Sequence, residues 1–178
     1  FGIEQYVEMA LQYQRINSTA NDYILKQISL DTVIREVIHK YAKIMIRRKI
    51  RMHYEKTEAT VISDEKWLSF VLEQLLSNAV KYTPEGEISI EVQEEPQHIW
   101  LEIRDTGIGI RSEDIPRVFE KGYTGFNGHE DKRSTGIGLY LCREVLQKLG
   151  HTIQVQSEVG EGTMVRAGFS KDAIDFRD

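Results

Sequence analysis

The feature that most constrains the fold is a change of hydrophobic period in the middle of the chain. Apolar residues recur at intervals of three and four from Trp67 to Val80, which is typical of an amphipathic helix. Pro84-Glu85-Gly86 ends this pattern, and apolar and polar residues then alternate along 88–92 and return as a second strand along 98–105. A helix followed by a hairpin predicts an α+β domain whose sheet is mostly antiparallel.

Helices and strands are predicted on both sides of this segment. Asp31 is expected to cap a helix that runs to about Arg47, and Asp64 to cap the central helix, which runs to about Tyr82. A last helix from about Leu139 to Leu149 precedes two strands. These strands are predicted at 152–157 and 163–169, around Gly160-Glu161-Gly162.

The domain organisation follows from the same patterns. Residues 1–16 are predicted to be a helix tail, 17–26 a linker, 27–170 the folded domain, and 171–178 a C-terminal tail. The basic run Arg47-Arg48-Lys49-Ile50-Arg51 is interpreted as the solvated end of a helix.

Composition excludes several classes of function. The 178 residues carry a net charge of -5, which gives no electrostatic reason to bind nucleic acid. No apolar stretch approaches the ~18 residues that span a bilayer, and Phe1 in place of Met indicates a piece of a longer chain. Cys142 has no second cysteine with which to pair, so a packed structural thiol and a reducing, cytosolic location are expected.

Three polar residues of the central helix form the first candidate site. Gln74, Asn78 and Lys81 are spaced by four and three, and therefore share one helix face, with Tyr82 close by. The amide oxygen of Asn78 can bind Mg²⁺, and Lys81 can contact phosphates. The alternative is an ordinary amphipathic helix with polar residues at its border.

Two glycine motifs form the other candidates. In Asp105-Thr-Gly-Ile-Gly-Ile110, a carboxylate at a strand end can accept a hydrogen bond from an amine such as that of adenine, although a tight turn has the same composition. Ser134-Thr-Gly-Ile-Gly-Leu139 comes directly before a helix, where backbone N–H groups bind anions. Neither motif is a P-loop or a dinucleotide-binding pattern.

Together these segments resemble the GHKL (Bergerat-fold) ATP-binding family, and within it the sensor histidine kinases, over about residues 27–170. Residues 74–83 resemble the N box, 105–109 the G1 box, Phe119-Glu-Lys the F box, 136–139 the G2 box and 160–163 the last glycine motif. The resemblance implies a two-layer α/β sandwich with a mixed, mostly antiparallel sheet and helices on one face. It also implies that residues from about 119 to 135, which carry few core candidates, form a mobile lid over the nucleotide.

The resemblance further implies roles for single residues. Asn78 would hold Mg²⁺, Lys81 and Tyr82 would lie near the phosphates, Asp105 would bind the adenine amine, and Thr163 would support Asp105. Catalysis would rest on Asn78 and Lys81. The full implied set of ATP-contacting residues is Gln74, Asn78, Lys81, Tyr82, Asp105, Gly107, Ile108, Gly109, Ile110, Tyr123, Lys132, Arg133, Gly136, Ile137, Gly138, Leu139 and Thr163.

One departure from the family pattern separates a kinase from a hydrolase. Gln74 stands where histidine kinases usually carry Asn and where the GHKL ATPases carry the Glu that activates water. Glutamine is no general base at neutral pH, and Glu73 points roughly 100° away along the helix. A protein-histidine kinase domain is therefore expected; a GHKL-type ATPase and a binding-only relative are the alternatives.

The acceptor histidine of such a kinase is expected to lie outside this chain. None of the five histidines has the flanking residues of a phosphoacceptor box; His129-Glu130 comes nearest but falls in the predicted lid. Residues 1–16 would be the tail of the second helix of a dimerisation domain that supplies this histidine, and the phosphoryl group would pass on to a response regulator. The segments 121–128 and 134–141 further resemble intramembrane-sensing kinases that work with peptide-antibiotic ABC transporters, which implies the cytoplasmic part of a membrane-anchored homodimer.

Overall fold

The computed structural model describes residues 23–123 and 138–172, together with four helical positions in the N-terminal segment, which are Val7, Leu11, Gln14 and Arg15. Most of the predicted helix tail and linker and most of the C-terminal tail lie outside these residues, so the domain boundaries stay predictions. Leu25 and Lys26, at the end of the predicted linker, are the first residues of a strand.

Three helices and seven strands are present in the described ranges. The helices are α1 (Leu30–Arg47), α2 (Glu65–Lys81) and α3 (Gly138–Lys148), and a short 3₁₀ helix spans Ile115–Arg117. The strands are β1 (Leu25–Ser29), β2 (Ile50–Tyr54), β3 (Thr60–Asp64), β4 (Gly86–Glu94), β5 (His98–Asp105), β6 (Thr152–Glu158) and β7 (Gly162–Ser170). The predicted central helix, both predicted hairpins and the last helix are therefore confirmed.

Five strands form the main sheet in the order β2-β4-β5-β7-β6. Only β2 and β4 are parallel, and the other three pairs are antiparallel. β1 and β3 form a separate antiparallel pair. The helices cover one face of the main sheet: α1 contacts β2, α2 contacts β5 and both other helices, and α3 contacts β6. The expected two-layer α+β sandwich with a mixed sheet is confirmed.

One apolar cluster between the two layers forms the core. Every apolar position that predicted the central helix is buried in it, because the stripe faces both the sheet and the neighbouring helices. These buried positions are Trp67, Leu68, Val71, Leu72, Leu75, Leu76, Ala79 and Val80. Burial of this apolar face fixes the rotation of α2, and therefore the direction in which its partly buried polar residues point.

The interpretation of the basic run as a helix end was wrong for its last residues. α1 ends at Arg47, and Ile50 and Arg51 begin β2. The signal was available, because Ile50, Met52 and Tyr54 alternate with polar residues and point toward the core. Five residues are too few for this alternation to stand out next to a long helix.

The expected cap of α1 was also wrong. The N-cap is Ser29, whose hydroxyl accepts a hydrogen bond from Thr32 N, and Asp31 lies in the first turn. Asp31 instead accepts hydrogen bonds from Tyr54 Oη at 2.6 Å and from Arg35 Nε at 2.9 Å. It therefore joins the start of α1 to the end of β2. The predicted cap of α2 is confirmed, since Asp64 accepts from Trp67 N at 3.1 Å.

Across the part of the chain that is described, no helix combines the length and the apolar character that a membrane span requires.

Candidate functional site

The polar border of α2 forms one wall of the candidate site. Gln74, Asn78 and Lys81 are all partly buried and lie beside the buried apolar stripe. Lys81 is the last residue of the helix, and its ammonium lies 5.2 Å from the ring centroid of Tyr82, the C-cap residue. The predicted face is thus present, and it carries amide groups in its middle and a cation at its end.

The loop after β5 packs directly against the end of α2. Ile108 N donates a hydrogen bond to the carbonyl of Tyr82 at 3.0 Å. A Cβ atom at Gly107 would collide with that same carbonyl oxygen, and would lie 2.9 Å from both Asp105 Oδ1 and Thr83 Oγ1. Only glycine allows this close approach of two backbones. The N-box and G1-box segments are therefore neighbours in space.

Asp105, the last residue of β5, is held by backbone donors. Its Oδ1 accepts hydrogen bonds from Gly107 N at 2.9 Å and from Thr163 N at 3.2 Å. Burial raises the pKa of this carboxyl above its ordinary value, and the two N–H donors oppose that shift. Among the described residues no group donates to Oδ2, so this oxygen can accept a further hydrogen bond.

Thr163 lies opposite Asp105 in the register of β5 and β7, as its expected supporting role requires. Its hydroxyl is 2.7 Å from Ser157 Oγ. Ser157 also donates to Gly162 O at 2.9 Å and accepts from Ile110 N at 2.8 Å. Ser157 was not predicted as a site residue, although it closes the predicted hairpin opposite Thr163, which was the available signal.

Gly109 ties the same loop to the β6–β7 turn. It has a φ of 74°, and a Cβ atom there would collide with the carbonyl of Glu158. The same turn also binds the loop through a hydrogen bond from Gly160 N to Ile108 O at 3.0 Å. The loop from Thr106 to Ile110 is thus fixed between the end of α2 and the β6–β7 hairpin.

A cavity of about 510 Å³ also borders Asp105 and Thr163, on the side of the sheet away from the helices. Much of its lining comes from Ser89, Arg104, Met164 and Gln156, which are cross-strand neighbours on the sheet face away from the helices. The lining includes none of Gln74, Asn78 and Lys81, so this cavity is not the predicted site.

The F-box segment lies against α3. The guanidinium of Arg143 is 5.6 Å from the ring centroid of Phe119. Tyr123 donates to Asp114, and Arg117 stacks 4.3 Å from the Tyr123 ring. Tyr123 is therefore engaged within its own segment.

The remaining predicted residues divide in two. Gly138 and Leu139 are the first residues of α3, as expected. Lys132, Arg133, Gly136, Ile137, His129 and most of the predicted lid lie outside the described residues, so the expectations for them stay predictions.

Residues 63–173 match the family described as histidine kinase-, DNA gyrase B-, and HSP90-like ATPase. The chain belongs to this family. The match covers α2, the loop after β5, α3 and the β6–β7 hairpin, which are the elements that bring Asp105, Gly107 and Thr163 together. The expected resemblance to the GHKL family is thereby confirmed.

Sensor kinases are among the relatives of this histidine kinase-like chain. It is 36% identical over 173 residues to the sensor histidine kinase YxdK of Bacillus subtilis (strain 168), covering 94% of this chain and 52% of the relative. It is also 36% identical over 167 residues to the sensor protein BceS of the same organism, covering 94% and 50%. The chain thus spans about half the length of these relatives.

The fold of this family member is also that of a solved histidine kinase. The Acinetobacter baumannii histidine kinase AdeS superposes with a TM-score of 0.78 at 20% identity, covering 96% of this chain and 79% of that one. At this identity the likeness shows the fold alone. The family match and the sensor-kinase relatives together identify the chain as an ATP-binding catalytic domain of the sensor histidine kinase type.

Proposed function

We propose that this domain transfers the γ-phosphoryl group of ATP to a histidine on a dimerisation domain, for onward transfer to a response regulator. The observation that carries the nucleotide assignment is Asp105. Two backbone N–H groups hold its Oδ1, and no described residue donates to its Oδ2. The loops on either side carry glycines that allow close contact. A fixed acceptor of this kind suits the exocyclic amine of adenine.

The polar residues of α2 fit the phosphate end of the same nucleotide. Asn78 offers an amide oxygen to Mg²⁺, a metal that prefers oxygen ligands and often shares them with substrate phosphates. A Mg²⁺ ion at this position would be bound jointly by Asn78 and the nucleotide. The ion would neutralise phosphate charge, and Lys81 and Tyr82 would orient the phosphates.

Transfer is favoured over hydrolysis by the residues at positions 73 and 74. Gln74 cannot take a proton from water at neutral pH. Glu73 could, but its carboxylate is bound to Lys40 of α1, with Nζ and Oε2 2.9 Å apart. An acceptor supplied by another domain therefore suits this site better than water does.

The partners follow from the proposed reaction. We propose that the acceptor histidine belongs to a dimerisation domain of the same protein. A response regulator would then receive the phosphoryl group from that histidine. The resemblance to intramembrane-sensing kinases supports a peptide-antibiotic ABC transporter as a further partner. It also supports a cytoplasmic position in a membrane-anchored homodimer.

Calorimetry with ATP and Mg²⁺ tests the nucleotide site. The wild-type domain is expected to bind ATP with an affinity that requires Mg²⁺, and Asn78→Ala to lose most of that dependence because the amide oxygen is gone. Gln147→Ala, an exposed change on α3, is the matched control and should leave binding unchanged. Equal affinity in wild type and Asn78→Ala contradicts the role of Asn78, and a wild-type domain that binds no ATP contradicts the function.

A further inference from the structure

The end of α1 and the turn that follows it carry an unusual surface, which we call the α1–β2 surface. It consists of Lys43, Ile46, Arg47 and Lys49, all exposed. Ile46 and Arg47 lie three and four positions after Lys43, so these three side chains share one helix face. Ile46 is 77% exposed, more than any other large apolar side chain in the described ranges.

The cations of this surface have no ion-pair or hydrogen-bond partner for their side chains within the described part of the chain. Among the described residues, none of the ion pairs or hydrogen bonds involves the side chain of Lys43, Arg47 or Lys49. Their basic neighbours are used structurally: Arg48 Nη1 donates to Val80 O at 2.8 Å, and Arg51 pairs with Glu87. Residues 43–51 contain five basic residues and no acidic one, in a chain whose net charge is -5.

Helix stability explains only part of this arrangement. Cations near the end of a helix interact well with its dipole, which accounts for Lys43 and Arg47. It does not account for Ile46, which is left in water. It also does not account for Lys49, whose φ of 56° is the only positive value among the described non-glycine residues. Glycine is the usual residue in this conformation after a helix.

Lys49 occupies a backbone position that favours glycine, and Ile46 does not pack in the core. Together, these two features indicate a surface kept for binding. We propose that the α1–β2 surface docks on an anionic lipid bilayer. Lys43, Arg47 and Lys49 would lie at the lipid phosphates, and Ile46 would enter the headgroup layer. One exposed apolar side chain with cations before and after it in the chain is complementary to such a membrane surface.

The size of the surface favours a membrane over a protein partner. A stable protein interface buries roughly 800 Å² on each side and takes about 20 residues. Four residues on one turn of a helix and the following loop fall far below that. A lipid surface needs no shaped complement and rewards each cation separately. This inference goes beyond the proposed function, and binding should be the same with and without nucleotide.

Flotation with lipid vesicles tests the proposal directly. The wild-type domain is expected to float with vesicles of phosphatidylcholine and phosphatidylglycerol, less so at raised salt, and not with phosphatidylcholine alone. Lys43→Gln/Arg47→Gln/Lys49→Gln should bind roughly a hundredfold more weakly, because each cation near the surface contributes about fivefold. Lys56→Gln/Lys66→Gln/Lys171→Gln changes the net charge equally at three other exposed lysines and should retain most of the binding.

A single substitution separates binding from folding. Lys49→Gly removes one charge and also relieves the left-handed backbone at that position. It should raise the thermal midpoint or leave it unchanged, yet weaken vesicle binding about fivefold. A purely structural role for Lys49 predicts no loss of binding.

A probe at position 46 reports insertion independently. Ile46→Cys can be labelled selectively with an environment-sensitive dye, because Cys142 is fully buried and burial raises the pKa of its thiol. The dye should shift to shorter emission wavelength on anionic vesicles, whereas a label at Ile62→Cys should not. The proposal is overturned if the domain does not float with anionic vesicles, or if both triple variants bind alike. No emission shift at position 46 would also overturn it.

Discussion

Asp105 is partly buried, which raises its pKa, and two backbone hydrogen bonds fix the orientation of its carboxylate. Gly107 N is its near neighbour in the chain, but Thr163 N is 58 residues away. In the free domain, folding favours the protonated carboxyl. Stability from this group is therefore present at low pH and is lost as the pH rises through the folded pKa. Binding of the adenine amine, in contrast, needs the ionised form of the Asp105 carboxyl.

Asp105→Asn should therefore change both nucleotide preference and pH dependence. An amide can turn a donor toward adenine, so the preference for ATP over GTP should fall by roughly 10–100-fold. In the wild type, ATP affinity should decline as the pH is lowered, from a point above the ordinary pKa of 3.8 for aspartate. Calorimetry of both proteins at each pH cancels the titration of ATP itself. Unchanged discrimination, or a constant ratio of affinities over that range, would exclude Asp105 as the adenine contact.

His151 is a second buried titratable residue, remote from the α2 wall of the site. It is 4% exposed, its Nε2 lies 3.0 Å from Ser63 Oγ, and its ring centroid is 4.6 Å from that of Phe169. Nδ1 is buried and has no hydrogen-bond partner among the residues that the structure describes. Burial lowers the pKa of His151 from 6.5 to about 4, so the fold requires the neutral ring.

Acid should therefore weaken the fold through His151. Its contribution is fully present above pH 6.5 and is lost as the pH falls toward 4, by about 2 kcal/mol at pH 5 and about 3 kcal/mol in total. Urea unfolding at pH 7.5 and pH 5 measures this loss. His151→Gln cannot titrate, so its free energy of unfolding should fall less over the same interval. Equal falls in both proteins would show that His151 does not drive the change.

At the scale of elements, the β6–β7 hairpin fixes the loop after β5. Ser157 connects three parts of this junction, which are Ile110 N, Gly162 O and the hydroxyl of Thr163. Gly109 and Gly160 bring the two backbones close enough for these bonds. The wall of the site that we propose for adenine is therefore as rigid as this hairpin.

Ser157→Ala should loosen the junction without disturbing the sheet. Ile110 N and the Thr163 hydroxyl lose a partner, which should lower the free energy of unfolding by about 1–3 kcal/mol. ATP affinity should fall as well, because the loop that carries Gly107 and Gly109 is less well held. Gln156→Ala is the control, on the same strand but exposed on the opposite face. A loss of stability with unchanged ATP affinity would mean that the junction does not shape the site.

Elements with long, regular periods could be predicted from the sequence, and short ones could not. α2 and the β4–β5 hairpin show clear patterns of three to four and of two residues. β1 and β3 are five residues each, and they are stabilised by pairing with one another rather than by a pattern of their own. The cap of α1 is a similar case, because Asp31 has a distant partner in Tyr54.

At the scale of the whole molecule, the proposed function predicts that the domain does not phosphorylate itself on histidine. Transfer needs an acceptor nitrogen in line with the γ-phosphorus, and no histidine here has the flanking residues of an acceptor. Incubation with γ-labelled ATP and Mg²⁺ should give no acid-labile label. Fusion of an acceptor-bearing helical domain before Phe1 should restore transfer. Stoichiometric acid-labile label that disappears in His129→Ala would contradict this prediction.

The sequence by itself determined the helices, the hairpins and the residues that identify the family, because these depend on local periodicity and on short motifs. Only the tertiary structure decided how they combine. The parallel pairing of β2 with β4, the approach of Gly107 to the Tyr82 carbonyl, and the bond from Ile110 to Ser157 each join segments that are far apart in the chain. Local patterns do not encode such contacts, since they arise from the packing of separate elements around one core.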